Sequence, residues 1–250
     1  MNSFIGILVI ESKLFLRSRV ASFFTFVFPV LLFIVFGSIF GDLPVWNHPN
    51  LTYVDFFAPA LIGAYIGQAG LVNLAVFVAS YRQDGILKRY NASPMPLTRY
   101  LVGLGIVHFS SLLASSIILI VVGKWMFDLQ LQGNVFMVTS AGLLTVGCFF
   151  SLGLLISGSF SSPQSVLSIG QFLFLSMFLL SGAAVPRELF PEWLNTISFF
   201  LPLTHAVELF SGLWMGEPIS QHIASLSVLI AMAIIAFPIA TRIFSWQKKE

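Results

Sequence analysis

Residues 81–99, YRQDGILKRYNASPMPLTR, are the one place inside the chain where charge gathers between two long apolar runs. Four of the 12 Lys and Arg residues lie there: Arg82, Lys88, Arg89 and Arg99. Basic residues beside membrane spans stay on the cytoplasmic side, because carrying them across a bilayer is unfavourable. This loop therefore faces the cytoplasm and orients everything else. Arg82 to Tyr90 suit a short helix, which Pro94 and Pro96 then stop, since proline lacks the amide donor and clashes with the preceding turn. A stiff basic helix at the membrane face offers a handle for a cytoplasmic partner.

Working outward, the composition sets the class. With 57% hydrophobic residues, 9% charged residues and a mean hydropathy of +0.94, the chain lies far from the roughly 25% charged content of a soluble domain. It reads as an all-α polytopic membrane protein. The single cysteine, Cys148, falls in an apolar run, where a small core residue is the expected role, and one cysteine builds no disulfide framework.

Six charge-poor runs supply six spans, near residues 20–41, 56–81, 100–123, 135–157, 165–185 and 218–241 of a single transmembrane domain, 1–250. Residues 2–19 begin with an apolar stretch too short to cross and end in Glu11, Lys13, Arg17 and Arg19, as an amphipathic helix lying along the cytoplasmic surface does. They do not read as a cleavable signal, because the apolar run after Arg19 is too long and no small-residue cleavage site closes it. Pro29 marks a kink or packing notch in the first span. Residues 42–55 hold Asp42 and Asp55 but no Lys or Arg, as an outside loop should. SGSFSSPQS at 157–165 breaks the long uncharged stretch from 129 to 186 into spans four and five.

Residues 186–217 differ in kind. Arg187, Glu188, Glu192, Glu208 and Glu217 leave too short an uncharged run, with Pro202 inside it, for a crossing. They suit two short helices dipping into the outer leaflet between spans five and six, with Trp193 and Trp214 at the interface. Six spans put both termini in the cytoplasm. The basic residues agree: Lys13, Arg17, Arg19, Arg82, Lys88, Arg89, Arg99, Arg242, Lys248 and Lys249 fall inside, and only Lys124 and Arg187 outside. A seventh crossing would strand the basic tail on the wrong side.

Few groups offer chemistry. His205 and Glu208, three apart, share a helix face and either cap a short outer helix or form a metal pair, for which no third or fourth ligand lies near in sequence. Gln68, Asn73, His108 and Gln171 fall inside spans, where they either line a polar route or hydrogen-bond between helices. A phosphate-binding Walker loop needs Lys followed by Ser or Thr. The residues after the five lysines are Leu14, Arg89, Trp125, Lys249 and Glu250, so ATP-driven work requires a separate subunit. A carrier or channel working without ATP would show ionisable residues deep in the spans or an inverted repeat; the assigned spans hold no Asp, Glu, Lys or Arg. No cluster of acid, base or nucleophile supports an enzyme.

Three stretches resemble the bacterial permeases of the ABC-2 (type-2 ABC exporter) class. YVDFFAPALI at 53–62 is similar to the start of that family's second span, with Ala60 in place of a usual glycine. RQDGILKRYNASPMP at 82–96 resembles its cytoplasmic loop, with Gln83 where an acid is common and Tyr90 and Asn91 where Leu and often Arg stand. SGAAVPRELFPEWLNTISFFLPLTHAVELF at 181–210 resembles its outer segment.

The resemblance implies a non-catalytic half-transporter in a bacterial cytoplasmic (inner) membrane, paired with a second permease copy or a paralogue and surrounded by membrane lipids. Two cytoplasmic ABC ATPase subunits would bind beneath it and hold the ATP and Mg; the chain itself would bind no cofactor, and no nucleic acid is implied. Arg82, Gln83, Asp84, Gly85, Leu87, Lys88 and Arg89 would form the coupling helix docked on the ATPase. Pro191, Trp193, Pro202, His205 and Glu208 would belong to re-entrant helices gating the outer path. The cargo class implied is a hydrophobic drug, antibiotic or lipid, with polysaccharide and sodium as rivals.

Overall fold

A computed structural model describes residues 3–41, 43–45, 48–85, 97–185, 187 and 190–246. In chain order they form α1 (Ser3–Arg17), α2 (Arg19–Ser22), a π-helical turn (Phe23–Val27) and α3 (Phe28–Phe40). A small antiparallel hairpin follows, β1 (Pro44–Val45) and β2 (His48–Thr52). Next come α4 (Tyr53–Gln68), a second π-helical turn (Ala69–Leu74), α5 (Ala75–Gln83), α6 (Leu97–Phe127), α7 (Val135–Ser159) and α8 (Pro163–Leu180). The chain closes with α9 (Glu192–Phe199), α10 (Pro202–Trp214), a 3-10 turn (Ile219–His222) and α11 (Ile223–Trp246).

Six of these helical stretches are long and apolar enough to cross a membrane: Phe23–Phe40, Tyr53–Gln83, Val102–Phe127, Val135–Ser159, Pro163–Leu180 and Ile219–Ala240. The protein is a multi-pass, all-α membrane protein. The helices overrun the charge-free runs where a charge finds a local partner. Asp55, read from the sequence as an outside-loop residue, is buried in the first turn of α4, where its carboxylate and Thr52 form a capping box. Elsewhere the ends follow their cap residues: Asn134 accepts from the Phe136 amide, and Ser162 with Pro163 starts span five.

Span two is the axle of the bundle. Buried residues make up 72% of its apolar window, against 11% for span five, which is the most exposed of the six. Its middle is gripped by close backbone approaches, as lipid-embedded helices favour where small residues allow them. A methyl at Gly153 of span four would collide with the Gly70 carbonyl oxygen, and one at Gly170 of span five would come within 3.0 Å of the Leu71 carbonyl.

Pro29 explains the irregular start of span one. It has no N–H to give to the carbonyl four residues back, that of Thr25. Tyr65 of span two and Ser115 of span three each donate a hydroxyl to that oxygen at 2.6 Å. An orphaned carbonyl becomes the point where three spans meet.

The bent pair α9–α10 turns through 93° between Phe199 and Pro202. Every residue of α10 except Glu208 is buried. A helix apolar on all sides belongs inside a bundle, and α10 runs antiparallel to span two with Leu203 against Gly67 and Val207 against Gly63. The pair therefore reaches the middle of span two, deeper than a surface dip. Trp193 is exposed as expected of an interfacial residue, but Trp214 is not: it is buried and its indole N–H donates to the Gln130 carbonyl at 2.9 Å.

Candidate functional site

The basic segment begins where span two ends. The α5 helix runs on without a break through Arg82 and Gln83, so these two belong to span two and not to a separate short helix. Arg82 Nη1 donates to the Ser157 carbonyl at 2.9 Å, and its Nη2 to the Phe160 carbonyl. Both oxygens lie at the C-terminal end of span four, where a helix leaves carbonyls unpaired and a cation is favoured. Asp84 caps α5, and Gly85 follows at φ +68°, the left-handed conformation in which glycine ends helices. Gln83 and Asp84 are exposed. Leu87, Lys88 and Arg89 lie outside the described residues.

Beside this end, the surface helix α1 is pinned to span two: the Tyr81 hydroxyl donates to Glu11 Oε2 at 3.0 Å, and Glu11 is buried. His108, predicted among the polar span residues, packs edge-on to Phe15 of α1 and Phe77 of span two, with Nδ1 3.1 Å from the Leu104 carbonyl. It is buried at a helix junction and makes no hydrogen bond to Gln68, Asn73 or Gln171.

Two of those three amides meet. Gln68 Nε2 donates to Gln171 Oε1 at 3.3 Å, joining spans two and five. Asn73 is exposed although its neighbours Val72 and Leu74 are buried. In an α-helix, residues five apart point about 140° away from each other. The π-helical turn at Ala69–Leu74 closes i to i+5 instead and so brings Gln68 and Asn73 toward one side. Gln164, Ser168 and Gln171 form an exposed polar stripe along span five at spacings of four and three.

The corner of the bent pair is built from polar contacts. Pro191 caps α9, and Pro202 occupies the first turn of α10. His205 Nε2 lies 2.7 Å from the Phe199 carbonyl and Nδ1 lies 3.0 Å from Ser225 Oγ of span six. The Ser225 hydroxyl reaches Glu208 Oε2 at 3.1 Å, and Arg187 Nη1 stands 3.7 Å from the same oxygen. His205 and Glu208 are thus joined through a span-six serine; among the described residues, no three His, Cys, Asp or Glu side chains gather into a metal site.

The sequence reading missed the part of Asp55. Its Oδ2 accepts from the Thr52 amide and hydroxyl, both at 2.9 Å, and its Oδ1 accepts from the Gln130 amide at 2.8 Å. The signal was present as Thr52 three residues ahead of Asp55, the spacing of a capping box.

Residues 3–215 match the family model described as ABC-2 type transporter. Among curated proteins, the chain is 28% identical over 177 residues to the probable multidrug ABC transporter permease YbhR of Escherichia coli (strain K12), covering 69% of this chain and 47% of YbhR. It is 28% identical over 193 residues to the putative transport permease ycf38 of Cyanophora paradoxa, covering 72% of this chain and 63% of that protein. It is 26% identical over 166 residues to ABC transporter G family member 20 of Dictyostelium discoideum, covering 65% of this chain and 22% of that protein. The chain thus spans about half the length of the first of these relatives.

Proposed function

Because the chain belongs to the ABC-2 type transporter family, we propose that it is the membrane-spanning half of an ATP-driven exporter whose hydrolytic subunits are separate chains. Two ATPase subunits dock on the segment that starts at Gln83–Asp84–Gly85, in the cytoplasm with both termini. The cargo is a hydrophobic or amphiphilic molecule, a class that accords with the word multidrug in YbhR's name. The membrane is the bacterial inner membrane.

The observation that carries this reading is the exposed amide face of spans two and five: Asn73, the Gln68–Gln171 pair and Gln164. Amides turned toward hydrocarbon would lose hydrogen bonds that lipid cannot replace. A second permease copy, with a path between the two, covers them and gives them work: orienting a cargo that is mostly apolar. Span two joins this face to the docking segment in one helix. Nucleotide closure of the ATPase pair pushes the inner ends of the two copies together and parts the bent pairs at the outer side.

The test is a mild-detergent pull-down of the tagged chain, as wild type and as Asp84→Lys, paired with ATP-dependent uptake of Hoechst 33342 into inverted membrane vesicles. Recovery of a Walker-motif ATPase that the variant loses, with dye uptake lost in parallel, supports the reading. A folded, monodisperse chain that recovers no ATPase in either form overturns it. Uptake by a well-expressed Asp84→Lys equal to wild type overturns the docking role.

A further inference from the structure

We infer that Asp55 and Trp214 form a latch that carries the motion of span two to the bent helix pair, an inference that rests on the transport reading above. Three observations support it. Asp55 is a buried carboxylate with no cationic partner among the described residues, held by the Thr52 amide and hydroxyl and by the Gln130 amide. Its Oδ1 thereby fixes the loop between spans three and four to the first turn of span two. The Gln130 carbonyl in turn accepts the indole N–H of Trp214, the last residue of α10, and the Trp214 carbonyl accepts the amides of Gln132 and Gly133 at 3.2 and 2.9 Å. Span two, the 128–134 loop and α10 are therefore linked by one chain of hydrogen bonds at the end of the bundle opposite the basic segment.

Two features make this chain of bonds a transmitter and more than a staple. Span two is a single helical element from Tyr53 to Gln83, so a push at Asp84 moves Asp55 with it. Along its length α10 lies flush on span two at Gly63 and Gly67. Sliding there is resisted by fit alone, whereas the bonds at Asp55 fix the axial register. Without the latch, α10 can lag behind span two. A charge-assisted acceptor that binds two amides and a hydroxyl is a stiff choice for such a joint.

The experiment is amide hydrogen exchange on the permease–ATPase complex in nanodiscs, apo and trapped with ATP and vanadate, for wild type, Asp55→Asn and Trp214→Phe. Asparagine presents an N–H where an acceptor is required, and phenylalanine keeps the ring but loses the indole donor. In wild type, trapping changes exchange at residues 80–85 and at 202–214 together. In both variants the response at 80–85 persists, and the response at 202–214 falls at least fivefold. A full response at 202–214 in both variants overturns the latch. A wild-type complex that responds at 80–85 but not at 202–214 overturns the latch and leaves the transport reading intact. A wild type that shows no nucleotide response anywhere overturns that reading, and the latch falls with it. A Trp214→Phe chain that folds as wild type keeps the test decisive if Asp55→Asn does not fold.

Discussion

Arg82 and Ser157, 75 positions apart, are joined by a 2.9 Å hydrogen bond from the guanidinium to a backbone carbonyl. The first basic residue of the loop is therefore spent on its own bundle. It holds span two against the turn between spans four and five, while Gln83 and Asp84 beyond it stay exposed. Arg82→Ala should lower the melting temperature and raise hydrogen exchange at 157–162, with a cost of about 1 kcal/mol for a half-buried charged donor. Arg82→Lys should recover only part of this, because an ammonium on a flexible stem does not reproduce the planar fork that reaches two carbonyls. Thermal unfolding in detergent compares the two.

Gly85 ends span two at φ +68°, with open space around the position of a Cβ. Strain alone separates its substitutions. Gly85→Ala should cost about 1 kcal/mol locally, redirect the segment that follows and reduce dye uptake. Gly85→Asn should be tolerated, since asparagine adopts the left-handed conformation more readily. Uptake by the two variants at matched expression checks this order.

Two glycines of span four have opposite surroundings. Gly153 sits against the Gly70 carbonyl, whereas a methyl at Gly147 meets nothing within 4 Å. Gly153→Ala should separate spans two and four at a cost of about 1–3 kcal/mol, as overpacking does. Gly147→Ala should be neutral or stabilise by up to about 1 kcal/mol through helix propensity. Melting temperatures of the two variants should move in opposite directions or differ sharply.

The Thr25 carbonyl accepts both the Tyr65 and the Ser115 hydroxyls. Tyr65→Phe or Ser115→Ala alone should cost about 0.5–1.5 kcal/mol, because the other hydroxyl remains. Together they leave a buried carbonyl opposite Pro29 without those donors. The double variant should therefore lose more stability than the two singles added, a non-additivity that a double-mutant cycle on unfolding measures directly.

The charge-free runs between Arg19 and Asp42, between Arg99 and Lys124 and after Leu129 made the six spans legible, because a bilayer penalises charge more strictly than a soluble core does. Pro202 and the five charged residues of 186–217 likewise announced a pair of short helices. The boundaries drifted where a charge was satisfied by a helix end. Asp55 entered span two because the amide at the helix start donates to its carboxylate, and Lys124 stayed in α6 because Asp128 lies 2.9 Å away.

Composition and the order of charges thus determined by themselves the class, the six long apolar helices and the bent pair, all consequences of how single residues partition between water and lipid. Which faces meet was decided only in three dimensions. The π-helical turn that brings Gln68 and Asn73 to one side, the depth of α10 against Gly63 and Gly67, the burial of Trp214 and the bond between Asp55 and Gln130 all depend on contacts between distant segments. A widened helical turn or an accepted amide leaves no mark on hydropathy, and two residues 75 positions apart disclose their pairing only when the backbone has brought them within hydrogen-bond reach.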